Sequence, residues 1–597
     1  MKHIFNLTIL FFSVFVNAQQ KKSIFSTFNI TTKERLADYE NFSAPDSVGI
    51  IMPLKSTLDN KSTGIHIPYP IIFIHGLADK SSIWDETTDF MDSEYGFTYG
   101  GRFDFCLNYD GNNTTTNKIF YPTPGADIAL YTPTLIAGDY YYLNFAVGND
   151  GSVYPTSSNS YYVKSEQQAI VKQGAALAYA IYYVLQRTGR NKVVLMGHSM
   201  GGLASREYIQ NSNNWQPVGQ HHVAKLVTTG TPHGGSNSTS FGLSFGGIDE
   251  QSEAVRDLRR TYYYSEDSGV YLYGGLELQN NTTNMDDNWN LSGIDFYNVD
   301  VNCNGIEGEF VTGLNNKNIS TDIDYSCIIG DCNGCIVDVN SGDGVVSKFC
   351  ANLNNYYPSL NANIFYYTAS AISEIHTGLP LQTYENLEGL DEPNDYALAY
   401  HIGIDTTYLG FSTVQSTNCP YYPIDYDDYK FSVSVNSNIN ISINNIALMD
   451  LKARIVDLAG NVVGSVVNSN GSSSLNFIQL VNAGVYYLEI YGTPTSISYL
   501  YPYNFLLSQT IIDTDIAIYE KLNNILIYPN PATNTLNIKG ILSKTIIKSY
   551  DVFGNLVIET ETESDKTINV SQLMQGVYTF VFESKNERIF KKVIITK

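Results

Sequence analysis

The stretch Val193-Val-Leu-Met-Gly197-His198-Ser199-Met200-Gly201-Gly202-Leu203-Ala-Ser-Arg-Glu-Tyr-Ile-Gln210 decides the fold. Its first four residues form an apolar run of strand type, and the segment after Gly202 has the composition of a helix. Ser199 stands between them with a glycine two residues to either side, where a buried strand must turn sharply into a helix. Side chains at 197 and 201 would collide in such a turn, which makes Gly197 and Gly201 the glycines of a nucleophile elbow. The turn lifts the Ser199 hydroxyl above the sheet, and the helix behind it aims free amides at any negative charge that forms there. The competing reading, a serine that only caps a helix, is disfavoured by the strand that precedes it.

Working outward, Pro70-Ile-Ile-Phe-Ile-His75-Gly76-Leu77 is an apolar strand that ends in His-Gly. The backbone N–H groups of Leu77 and Met200 are the expected oxyanion-hole donors, and His75 shapes the loop without moving a proton. The run 225–229 then enters Gly230-Thr-Pro-His233-Gly-Gly235, a third turn at the same edge. From about 69 to 380, strand-like runs alternate with helix-like ones, which reads as α/β with a mostly parallel sheet. The strongest helix is expected over 165–187, opened by Ser165 with Glu166 and Gln167 and stopped at Gly189.

The motifs HG-L, GHSMGG and TGTPHGGS, in this order over about residues 65–380, resemble the lipase branch of the α/β hydrolases. TPHGGS also resembles GPI inositol-deacylase-like enzymes. The resemblance implies an α/β-hydrolase fold with lid insertions and a serine, acid, histidine order along the chain. His376, in Ile375-His-Thr-Gly-Leu-Pro380 after strand-like 364–368, is then the expected base; His401 is the second choice and reads as part of the next module. Asp343, in Gly342-Asp-Gly344 after strand-like 326–330, resembles the family's acid turn, with Asp338 and Asp331 behind it. The implied chemistry is acyl transfer from a carboxylic ester, lipid or small, through an acyl-enzyme on Ser199, with no cofactor required. A glycolipid or peptide deacylase or amidase is the nearest alternative. A surface adhesin on a dead hydrolase scaffold is the alternative of another class, and the complete Ser199, Asp343 and His376 set argues against it.

Two segments exceed what a minimal hydrolase needs: about 237–322, read as a lid or cap, and about 97–138, read as an insertion over the carboxyl edge of the sheet. Within the first, Asp300-Val-Asn302-Cys-Asn304-Gly305 alternates oxygen donors as a structural calcium loop does, at Asp300, Asn302 and Asn304. It lacks the acidic residue at loop position twelve, and a polar turn is the other reading. Seven cysteines include Cys327, Cys332, Cys335 and Cys350, whose spacing superficially matches a metal site. Export favours disulfides instead, with pairing open and one thiol left over.

The 597 residues exceed a single core, and the net charge of −24 repels phosphate backbones, so nucleic acid is excluded as a partner. Lys2, an apolar run over 4–16 and then Asn17-Ala18-Gln19 read as a signal peptide over 1–18, and no later segment is apolar enough to span a bilayer. The hydrolase domain is expected over 19–388 and a separate β-sandwich over 389–509. Its Glu392-Pro-Asn-Asp395, Asp425-Tyr-Asp427-Asp-Tyr429 and Ala483-Gly-Val-Tyr-Tyr487 resemble a bacterial pre-peptidase C-terminal domain. A linker over 510–524 leads to a small all-β domain over 525–597. Tyr528-Pro-Asn-Pro531, Asp551-Val-Phe-Gly554 and Gly576-Val-Tyr578 there resemble the type IX secretion sorting domain of Bacteroidetes. That resemblance implies outer-membrane export, with the secretion machinery as partner, and release or surface attachment.

Overall fold

A computed structural model describes residues 30–33, 64–109, 127–131, 134–148, 150–153, 165–236, 248, 252–258, 302–303, 312–332, 335–337, 340–369, 375–412, 424–447, 449–494, 502–512, 525–584 and 587–597. The expected signal peptide, most of the expected lid, Asp300, Asn304, Asp338, Cys419 and most of the expected linker lie outside the described residues.

Nine strands form the main sheet: β1 (Ile30–Lys33), β2 (Ile71–Ile74), β3 (Tyr99–Tyr109), β4 (Asp127–Tyr131), β5 (Tyr140–Asn144), β6 (Val193–His198), β7 (Val223–Thr229), β8 (Asp324–Cys332) and β9 (Asn363–Ala369). Their order is β1-β4-β3-β5-β2-β6-β7-β8-β9, and every pair is parallel except β3 with β4. The central β2, β6 and β7 are buried along their whole length, as strands covered on both faces must be. Two helices pack together on the sheet, α1 (Ile170–Thr188) and α2 (Met200–Gln210). The sheet is thus the mostly parallel α/β arrangement that the alternating runs imply.

Helix α1 starts later than its Ser165 signal suggests, and the reason is tertiary. Ser165 donates its hydroxyl to Phe105 O at 3.1 Å and accepts from Leu107 N at 2.8 Å, so it serves β3 rather than the helix. The helix start is capped from a distance by α3 (Glu253–Leu258): Ala169 N–H donates to Glu253 Oε2 and Ile170 N–H to Asp257 Oδ2, both at 2.9 Å. Carboxylates at a helix N-terminus meet both its orphan amides and its dipole. The described helix within the expected lid therefore serves as a cap for α1. The expected insertion over 97–138 needs a larger correction: its described residues supply β3 and β4 and so widen the sheet.

Two five-stranded sheets follow. One runs in the order Tyr400–His401, Asp425–Val433, Gly484–Pro494, Met449–Asp457, Val462–Asn468; the other Ser474–Val481, Ser437–Asn444, Tyr503–Ile511, Thr407–Gly410, Ile65–His66. The last strand comes from the segment between β1 and β2 and pairs in parallel with Thr407–Gly410. One apolar core also runs through both modules, joining Phe73, Trp84 and Met196 to Tyr408, Tyr429 and Phe505. The sandwich and the hydrolase module pack into one compact unit, because β2 and its flank share apolar neighbours with the sandwich.

A second unit, mainly residues 510–597, has its own core around Leu536, Ile547, Phe580 and Val593. It holds a three-stranded and a four-stranded antiparallel sheet. Among the described residues no helix is long and apolar enough to cross a membrane.

Candidate active site

Ser199 follows β6 with φ 52° and ψ −124°, a conformation that L-residues rarely adopt and that costs on the order of 1–3 kcal/mol. Close packing explains the flanking glycines. A Cβ at Gly197 would lie 2.5 Å from Gly202 N, and one at Gly201 would lie 2.5 Å from Ile74 O. A Cβ at Gly76 would lie 2.8 Å from Ser199 Cβ, so the strand-end loop presses directly on the elbow.

Ser199, His376 and Asp343 form one hydrogen-bonded chain. His376 Nε2 is 2.8 Å from Ser199 Oγ, and His376 Nδ1 is 2.8 Å from Asp343 Oδ2. A carboxylate only accepts, so the imidazole proton sits on Nδ1 and Nε2 is left to accept from the serine hydroxyl. Asp343 is anchored in turn: its Oδ1 accepts Val345 N–H at 2.9 Å and Val346 N–H at 2.7 Å. His376 N–H donates to Asp343 O at 2.9 Å, which ties the two loops together through their backbones. All three side chains are buried.

The turn after β7 closes on the same place. Gly230 has φ 57°, and a Cβ there would lie 3.1 Å from Asp343 Oδ2 and 3.2 Å from His376 Nδ1. Gly230→Ala is expected to cost about 1–3 kcal/mol of stability through the positive φ. It should also lower kcat while KM stays near its value, because the methyl intrudes on the Asp343–His376 bond; thermal unfolding and steady-state kinetics check both parts.

Met200 opens α2, whose first amides have no intrahelical acceptor, and Leu77 follows Gly76 in the loop against Ser199. His75 holds that loop. Its Nδ1–H donates to Gly76 O and its Nε2 accepts Phe145 N–H, each at 2.9 Å. Burial pushes its pKa down to about 4, so it stays neutral and keeps both bonds at neutral pH. Two nearby residues were not marked by the motifs. Asp79, two positions past Leu77, has its carboxyl raised to about 6 by burial. His198 contacts His376 directly, with ring centroids 4.9 Å apart. The alternatives to the triad lie elsewhere: His401 is on an exposed strand position of the sandwich, and Asp331 pairs with Lys348 at 2.6 Å. Cys332 and Cys335 form a disulfide.

The calcium reading at Asp300, Asn302 and Asn304 rests mostly outside the described residues, with only Asn302 inside them. Among the described residues Asp391, Glu392 and Asp427 bring their carboxylate oxygens within 4.8 Å of one another, hard donors of the kind calcium takes. Burial raises all three, then Asp425 raises Asp391 and Asp427 further, and Glu392 reaches about 8 despite Phe411 N–H. The folded chain therefore retains protons that the unfolded chain has lost. Stability is full below the unfolded glutamate value of 4.5 and falls as pH rises toward about 8. Thermal midpoints across that range in metal-free buffer should decline, and Glu392→Gln should flatten the decline.

Together, a mostly parallel sheet, a serine on a strained strand-to-helix turn and a histidine–carboxylate pair beside it give an α/β-hydrolase-like fold. Residues 152–246 match the PGAP1-like alpha/beta domain, 425–492 the bacterial pre-peptidase C-terminal domain and 526–596 the secretion system C-terminal sorting domain. Similar solved structures include a gene product of Listeria innocua, 15% identical over 55% of this chain and 95% of that one, with TM-score 0.30. Another is the Bacillus licheniformis lipase BlEst2 in its propeptide form, 14% identical over 89% of this chain and 95% of that one, with TM-score 0.25. A third is the pre-peptidase C-terminal domain of the Bacillus anthracis collagenase, 21% identical over 20% and 99%, with TM-score 0.15. No curated protein matches the chain. The sorting domain marks it for the type IX secretion machinery, and hence for release or display at the cell surface.

Proposed function

We propose that the chain is a secreted serine hydrolase that cleaves carboxylic esters, as a lipase or carboxylesterase does. The observation that carries this reading is the pair of 2.8 Å contacts linking Ser199 Oγ to His376 Nε2 and His376 Nδ1 to Asp343 Oδ2. His376 takes the hydroxyl proton as Ser199 Oγ bonds to the ester carbonyl carbon, and the Leu77 and Met200 amides receive the oxyanion. The tetrahedral intermediate expels the alcohol, which leaves with the proton from His376, and the acyl group stays on Ser199. Water then repeats the sequence, giving up its proton to His376 and releasing the acid as Ser199 regains its hydrogen. Asp343 keeps the Nδ1–H in place and offsets the imidazolium charge. No step calls for a cofactor; calcium held at Asp300, Asn302 and Asn304 would be structural.

The match of residues 152–246 to the PGAP1-like domain favours a second reading within the same chemistry, deacylation of a glycolipid. A panel of p-nitrophenyl and glycerol esters of graded chain length, together with acylated inositol lipids, separates the two. Turnover of simple esters supports the first, turnover of the inositol lipids alone supports the second, and an unsubstituted chain that neither turns over nor labels with a fluorophosphonate overturns both.

A further inference from the structure

His198 is buried immediately before the nucleophile, and its ring and one ring nitrogen both meet the base. Its Nε2 lies 3.0 Å from the main-chain carbonyl oxygen of His376. A carbonyl only accepts, so Nε2 carries the proton and Nδ1 is bare. Among the described residues no donor reaches that Nδ1, and the Gly76 backbone packs against it, where a Cβ would stand 3.2 Å away. The ring lies over the His376 ring at 4.9 Å and 42°, and Trp84 meets it edge-on at 6.4 Å.

We propose that His198 is a positioning residue: by donating its Nε2–H to the His376 carbonyl it fixes the distance between the Ser199 hydroxyl and the imidazole that deprotonates it. The inference rests on the hydrolase reading of Ser199 and His376. The covalent path gives it force, since His198 and Ser199 are consecutive and the hydrogen bond joins the nucleophile's own backbone to the backbone of the base. His376 is then held at its amide by Asp343 O at 2.9 Å, at its carbonyl by His198 and at both ring nitrogens by the triad. Burial, reinforced by the nearness of His376, lowers the pKa of His198, so it stays uncharged. It does not compete for the serine proton, and it places no like charge beside the imidazolium.

The test is steady-state ester hydrolysis by the full chain carrying His198→Phe or His198→Gln. Phe keeps an aromatic ring of similar size and removes the donor; the Gln amide nitrogen reaches about the same place as Nε2. Because small displacements of a reacting pair are costly, the Phe variant should lose about 10- to 100-fold in kcat with KM within about twofold. The Gln variant should return to within about fivefold of the unsubstituted chain, since it restores the donor. A Phe variant within about twofold in kcat, or a Gln variant as damaged as Phe, overturns the inference. If thermal unfolding shows that the Phe variant does not fold, His198→Leu takes its place with the same outcomes. Fluorophosphonate labelling of the unsubstituted chain keeps the two levels apart. An unlabelled, inactive chain removes the hydrolase reading and this inference with it, whereas a labelled, active chain with an unimpaired donor-free variant removes this inference alone.

Discussion

Ser199→Ala is expected to lower kcat for p-nitrophenyl esters by at least about 10⁴-fold, to the level that oxyanion donors and binding alone sustain. In the proposed mechanism the hydroxyl forms the covalent bond, and among the described residues His376 Nε2, at 2.8 Å, is positioned to take its proton. The same substitution should hardly disturb the fold. It removes one hydrogen bond, worth about 0.5–1.5 kcal/mol, and alanine tolerates the elbow conformation about as poorly as serine does. A Tm within a few degrees of the unsubstituted chain, with lost turnover and lost fluorophosphonate labelling, is therefore the expected combination. Turnover that survives would remove Ser199 from the role.

The second large effect is expected at Asp343. In Asp343→Asn an oxygen can still accept the Val345 and Val346 amides, so the turn is retained. What changes is the group facing His376 Nδ1. An amide NH₂ donates where the carboxylate accepted, the imidazole proton is driven to Nε2, and the base then points a hydrogen at the serine it should deprotonate. A loss of about 10³- to 10⁴-fold in kcat follows, with KM little changed. Asp343→Glu is the informative companion, because it keeps the charge and moves it by one methylene. An Asn variant within about tenfold of the unsubstituted chain would mean that His376 is oriented by something other than this carboxylate.

How much of this could be read from residues alone depended on whether the signal was local. The turns at 75–77, 197–202 and 230–235 were readable because each imposes a strict steric demand at one sheet edge, and Gly76, Gly201 and Gly230 meet it within a few ångströms. His376 and Asp343 needed a related family, through the order of its motifs and the likeness of Gly342-Asp-Gly344 to its acid turn. The features that stayed hidden were made by distant partners. Ser165 looks like a helix cap until β3 claims its hydroxyl, and residues 97–138 look like an excursion until β3 and β4 find each other across a gap in sequence. His198 was legible only as a spacer in GHSMG, because its partner is a backbone carbonyl 178 positions away. Backbone groups leave no compositional trace.

The strand Ile65–His66, which lies between β1 and β2 along the chain, pairs with Thr407–Gly410, which follows the whole hydrolase sheet. Pairings so remote along the chain close late, because the loop between them must first be ordered. Until they do, the aromatic seam between the modules stays wet and adhesive, which favours aggregation. A truncation between the modules would leave that seam open permanently.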